Sequence, residues 1–249
     1  MNRLGILISD RSGFYILKKI RSKFPTMEID GIYDPLDYFQ LRDKKGLEVY
    51  YKKNKERFEK LNVSDFFWAK EGTDLGWNWE SYFQETIREN PEAVAFHTGF
   101  EKREGLEAPL LYYNAMDGLI HRPFVGHIVK EYLEKWPGNE KKLILGGMGF
   151  SEIEPFLAPW REEKGIQIID PVDFLLRDLG NKKISKGENP LRLFWLERDF
   201  SLEKEASEIL EKKVLFKMYH SHPWMRGEKR KKETPLRDRW KEIRRKNRH

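Results

Sequence analysis

The chain has 249 residues, of which 39% are hydrophobic and 35% charged, with a mean hydropathy of −0.75. That length can bury a sizeable core, and the composition excludes both a membrane-embedded protein and a generally disordered one. It contains no cysteine, which excludes disulfides, thiolate metal sites and thiol nucleophiles together. The formal charge of +6 is unevenly placed: residues 226–249 hold twelve Lys or Arg against four Asp or Glu, so the other 225 residues carry a net −2. Any electrostatic partner is therefore a partner of the tail. High Lys and Glu content without cysteine also matches the composition of heat-adapted proteins.

Along the chain, Met1-Asn2-Arg3-Leu4-Gly5-Ile6-Leu7-Ile8 carries one charge and a short apolar run that stops at Ser9-Asp10. It lacks a small-residue cleavage site and reads as a first strand rather than a signal peptide. No run approaches the roughly 18 apolar residues of a membrane span, and a cytoplasmic location is expected. Apolar runs predict strands over 4–9, 28–33, 93–98, 109–113, 142–145, 166–169 and 191–196. Their near-continuous hydrophobicity suits parallel strands covered on both faces. Spacings of three and four predict helices over 13–23 (Phe14, Leu17, Ile20), over 121–136 (Phe124, Ile128, Tyr132) and over 202–213 (Leu202, Ala206, Ile209). The Trp77-Asn78-Trp79 segment is expected to open a helix over 77–90 and to pack in the core. Alternation of this kind defines an α/β protein with open sheets.

In such sheets ligands sit at the carboxyl ends of the strands. Three places draw attention there: Ser9-Asp10-Arg11-Ser12-Gly13, Phe96-His97-Thr98-Gly99 and Gly146-Gly147-Met148-Gly149-Phe150. Ser12 suits a helix N-cap, with Gly13 easing the turn. His97 is a candidate base, with an ordinary pKa of about 6.5. The glycine-rich third segment suits a backbone-amide cradle for a phosphate or carboxylate, although it has neither the Lys-Ser or Lys-Thr ending of a P-loop nor the spacing of a dinucleotide fingerprint.

In this order and spacing, these segments resemble the motifs of the glutamate and aspartate racemase family. Asp10-Arg11-Ser12-Gly13-Phe14-Tyr15-Ile16-Leu17 is similar to the family's D-S-G-x-G-G-L-x-V-L. Ala95-Phe96-His97-Thr98 is similar to a strand ending A-C-N-T. Leu145-Gly146-Gly147-Met148-Gly149-Phe150 through Pro155 is similar to L-G-C-T-H-Y-P-L-L-x-P. Ile168-Ile169-Asp170-Pro171 and the run 193–201 extend the likeness over residues 3–215. The resemblance implies two open-sheet α/β lobes: residues 1–99 with the chain returning at 208–225, and residues 100–207, followed by a basic helical extension over 226–249. It also implies Asp10, Ser12, Thr98, Gly147 and Met148 as substrate-binding positions, with Asp10 and Ser12 holding the ammonium of an amino acid.

Where the family has its two cysteines this chain has Phe96 and Gly147. Racemisation needs a base on one face of Cα and an acid on the other, so the family's reaction is not expected. A small carboxylate or amino acid remains the expected ligand of a catalytically silent or regulatory relative. One-base lyase, decarboxylase or isomerase chemistry through His97 is the enzymatic alternative. No cofactor is expected. No metal is expected either, since His220-Ser221-His222, His121 and His127 lack further ligands at a recognised spacing.

The tail supplies a third reading. Thr234-Pro235 is a good helix start, and Leu236, Trp240 and Ile243 form a narrow apolar stripe among Lys and Arg. That helix either docks on the body or contacts nucleic acid or an anionic surface through Lys229, Arg230, Lys231, Lys232, Arg244 and Arg245. The reading also allows a homodimer.

Overall fold

A computed structural model of the chain describes residues 3–35, 44–71, 73, 75–97, 105–136, 141–188, 190–196 and 199–219. Residues 1–219 form one unit. The expected helical tail, with its six basic contact residues, and Thr98 lie outside the described residues.

The first strand, β1 (Leu4–Ile8), is buried at every position. It pairs in parallel with β2 (Ile29–Tyr33) on one side and β3 (Phe66–Ala69) on the other. With the two-residue β4 (Trp77–Asn78), and with β9 (Leu191–Trp195) and β10 (Phe216–Met218) from late in the chain, they form a six-stranded sheet. Its order is β10-β9-β2-β1-β3-β4. The second sheet has the order β6-β5-β7-β8, from β5 (Val94–His97), β6 (Leu106–Glu107), β7 (Lys142–Leu145) and β8 (Gln167–Ile169). Every pairing in both sheets is parallel. Side-chain alternation then sorts the first sheet's residues onto two cores. Ile6, Ile8, Phe67, Ala69, Leu193 and Trp195 face a large core shared with the second sheet. Leu7, Phe66, Trp68 and Phe194 face a smaller one.

Eight helices among the described residues cover these sheets: α1 (Ser12–Lys23), α2 (Lys44–Lys60), α3 (Trp79–Glu89), α4 (Pro109–Met116), α5 (Val125–Leu133), α6 (Glu154–Lys164), α7 (Val172–Asn181) and α8 (Phe200–Ile209). Helix α2 supplies Tyr50 and Phe58 to the smaller core. Helix α3 begins where the Asn78 side chain accepts from the Ser81 amide at 3.0 Å, so Trp77-Asn78 ends a strand and only Trp79 enters the helix. A buried ion triad ties the first sheet together. Asp30 of β2, fully buried, receives Arg3 Nε at 2.8 Å and Arg192 Nε of β9 at 2.6 Å.

Three expectations are corrected. The run 109–113 is helical, because Pro109 sits at the first helical position and Leu111, Tyr112 and Ala115 form one buried face. A five-residue apolar run does not by itself distinguish strand from buried helix. The helix expected over 121–136 spans only Val125–Leu133. The expected division at residues 99 and 207 also differs from the sheet membership. Strand β5 already belongs to the second sheet, through Val94 opposite Leu143, and β9 already belongs to the first, through Leu191 opposite Ile29.

Candidate functional site

The turn after β1 is built around Asp10. Its Oδ1 accepts from the Ser12 amide at 2.9 Å and from the Ser12 hydroxyl. The N-cap of α1 is Arg11, without a side-chain cap bond. Ser12 therefore does not cap the helix as expected: its hydroxyl serves Asp10, and Asp10 supplies the acceptor for the first helical amide. Burial pushes the Asp10 carboxyl up from 3.8, against the Ser12 hydrogen bonds and the nearby charge of Lys70, which pull it down.

Lys70 and Glu71 stand at the carboxyl end of β3, the strand next to β1. Burial pulls the Lys70 ammonium below its ordinary 10.5, opposed by the charges of Asp10 and Glu71. Its Nζ donates to the Glu71 carbonyl at 3.2 Å. Glu71 reaches the other sheet, where its Oε1 accepts from the Met148 amide in the glycine loop after β7 at 2.5 Å. Tyr112 of α4, nearly buried, completes the group; burial raises its phenol, and the charges of Asp10 and Glu71 raise it further. Asp10, Lys70 and Glu71 each keep partial exposure, so the cluster is reachable from solvent. Tyr33 at the end of β2 is likewise pushed up to about 12, mainly by burial.

The glycine loop is shaped by packing. Gly149 has φ +80°, a conformation that favours glycine, and a Cβ there would lie 2.8 Å from the Tyr15 ring of α1. A Cβ on Gly147 would lie 2.5 Å from the Phe150 ring, which is fully buried. Trp79 Nε1 donates to the Gly146 carbonyl at 3.1 Å. The Met148 side chain is buried, so only its amide faces a carboxylate. Glu71 of the same chain sits on the Met148 amide of this loop.

Phe96 and His97 lie at the end of β5 in the second sheet. Phe96 is fully buried, with its ring centroid 6.3 Å from that of Tyr132. His97 is only 3% exposed, and its strand pairs with β6 and β7 rather than β1. Strand alternation puts it on the face of Ala95, which packs with Phe83 and Ile144. Around Asp10, sequence reasoning missed the strand-end residues Lys70 and Glu71, and Tyr112 of α4. The signal was available: Phe66–Ala69 is a four-residue apolar run followed directly by two charges. His121 accepts or donates with Tyr15 Oη at 3.0 Å, and no group of three or more metal-ligating side chains occurs among the described residues. No helix among them is long and apolar enough to cross a membrane.

Two all-parallel sheets that share one core define an α/β architecture of two open sheets. The comparisons agree. The fold is that of the glutamate racemases. The glutamate racemase of Thermus thermophilus, solved with β-chloro-D-alanine, superposes with a TM-score of 0.66 at 14% identity, covering 87% of this chain and 96% of that one. A glutamate racemase isoform from Bacillus anthracis gives 0.66 at 16% identity, over 88% and 98%. The Francisella tularensis enzyme, solved with D-glutamate, gives 0.61 at 14% identity, over 87% and 96%. No protein-family model and no curated protein matches the sequence.

Proposed function

We propose that this chain is a racemase-fold protein that binds a small amino acid or carboxylate at the Asp10–Lys70–Glu71 strand ends and does not racemise it by thiol chemistry. The observation that carries this reading is the loss of both the thiols and the space for one of them. The sequence has no cysteine, and at Gly147 even a Cβ would meet Phe150 at 2.5 Å. Lys70 Nζ suits a ligand carboxylate, and the Asp10 carboxyl suits an ammonium group. The likeness to enzymes solved with D-glutamate and β-chloro-D-alanine supports the same ligand class.

The test is a thermal-shift titration with D- and L-glutamate and D- and L-aspartate, together with a chiral assay of the recovered amino acids. A saturable rise in melting temperature, lost in Asp10→Ala, with unchanged enantiomers, is the expected result. Racemisation abolished by a substitution in the cluster would overturn the reading, as would the absence of any shift.

A further inference from the structure

The net charge of −2 over the first 225 residues conceals a strongly basic cleft in the body of the protein. It lies at the edge of the first sheet, where the amino ends of β9 and β10 meet the last turn of α1. Its volume is about 560 Å³. Five cations line it, Arg21, Arg192, Lys212, Lys213 and Lys217, and Glu188 is the single acid among the described lining residues. We propose that this cleft binds a small oligophosphate, a ligand of two or more linked phosphates. The strand ends at Asp10 and Lys70 lie at the opposite end of the same sheet, so this site stands independently of the carboxylate-binding reading.

The cations are partly pre-positioned and still have donors to give. Arg192 Nε donates to Asp30 Oδ1 at 2.6 Å and its Nη2 donates to Oδ2, which fixes the guanidinium plane; its Nη1 has no hydrogen bond among the described residues. Arg21 Nη1 donates to the Met27 carbonyl at 3.3 Å. Lys212, Lys213 and Lys217 are exposed, and their ammonium groups make no ion pair among the described residues. Lys217 of β10 pairs with Phe194, two residues after Arg192 in β9, so strand alternation puts Arg192 and Lys217 on one face of neighbouring strands.

Two features oppose an anion here. Asp30 stands behind Arg192, and the C-termini of α1 and α8 each carry about half a negative charge. Together they offset about two of the four excess positive charges, and a basic site remains. The helix dipole accounts for Arg21 in the last turn of α1, but not for Arg192 and Lys217 in strands. A single phosphate carries at most about two negative charges, too few for cations that converge from α1, β9, β10 and the turn after α8. Guanidinium forks and lysine point charges both suit phosphate oxygens. None of the described lining residues is aromatic, so the cleft offers no platform for stacking a nucleic-acid base.

The experiment treats the full chain with acetic anhydride at low ionic strength, with and without sodium tripolyphosphate, and maps acetylated lysines by peptide mass spectrometry. Lys212, Lys213 and Lys217 should lose most of their acetylation in the presence of tripolyphosphate. Lys52, Lys53 and Lys55, exposed on α2, should react as before. Calorimetry should show one ligand per chain, bound about tenfold or more weakly after Lys213→Glu with Lys217→Glu, through loss of charge-assisted contacts, and equally well after Lys229→Gln with Arg230→Gln in the tail. Absence of protection overturns the proposal, as does equal protection on α2 or an affinity set by the tail substitutions. Protection by an RNA oligonucleotide but not by tripolyphosphate overturns it too, and makes the cleft part of a nucleic-acid surface. Mapping of the wild-type chain decides the matter even if a substituted chain fails to fold.

Discussion

The two sheets end in different chemistry. The strands of the first sheet run out into Asp10, Tyr33-Asp34 and Lys70-Glu71, whereas β7 of the second sheet runs out into glycines packed against Phe83 and Phe150. Where β3 and β7 meet, the first sheet supplies a side chain that titrates and the second supplies the Met148 backbone amide on which Glu71 rests. Beneath these ends the contrast continues. The first sheet encloses a carboxylate between two arginines from β9 and from the residue before β1. The second packs Phe83, Ala95 and Ile144 together, on the face that also carries His97. One fold thus supports two kinds of strand end.

The sharpest way to break this contrast is Asp30→Ala. It leaves Arg192 without its carboxylate and Arg3 with Glu28 alone, beside the empty place of a fully buried carboxylate. The cost is at most the loss of about 3–5 kcal/mol that breaking a buried pair brings, because Arg192 is partly exposed. Chemical denaturation should show that loss as a lower midpoint; a loss below about 1 kcal/mol would mean the triad is well solvated.

The next test acts on the second sheet. Gly147→Cys forces a side chain against Phe150, and overpacking of this kind costs about 1–3 kcal/mol. It should lower the melting temperature and produce no racemisation. A stable variant with racemase activity would show that the loop can reopen around a thiol.

Asp170 offers a pH test at the end of β8. Burial raises its carboxyl from 3.8 to about 6, although its Oδ1 accepts from the Val172 amide at 3.0 Å. Because the folded value lies above the unfolded one, folding holds the proton between those values. This contribution to stability is complete below about pH 4 and is lost as pH rises through 6. Asp170→Asn keeps an acceptor for Val172 and removes the charge. It should stabilise the protein by about 1–2 kcal/mol at pH 8, a range discounted for partial exposure, and should change little at pH 4. Equal effects at both pH values would refute the assigned shift.

The smallest structural effect is expected from deleting residues 226–249. If the tail does not dock on the body, unfolding free energy should change by less than about 0.5 kcal/mol. On the nucleic-acid reading of the tail, the same deletion abolishes RNA binding that weakens steeply with salt. A fall in melting temperature would instead mean that Leu236, Trp240 and Ile243 dock on the body. Failure of the full chain to bind RNA at low salt rejects the nucleic-acid reading.

Much of this was legible in the residues themselves. The continuous apolar runs define parallel strands, because a strand covered on both faces cannot alternate polar positions. The lack of cysteine excludes two-thiol chemistry wherever the chain folds, and the placement of the basic excess follows from counting. Adjacency was not legible. The runs 66–69 and 94–97 are both short and apolar, and both are followed by polar residues, so either could lie beside β1. The hydrogen-bond registers Gly5–Phe66 and Val94–Leu143 decide between them. They place Lys70 and Glu71 at the end of the strand next to β1 and His97 in the other sheet. The same is true of Gly147, whose missing side chain the sequence displays but whose filled space only Phe150 reveals. Composition and periodicity are local properties of a chain, whereas strand order and the space left for a side chain depend on contacts between residues far apart in it.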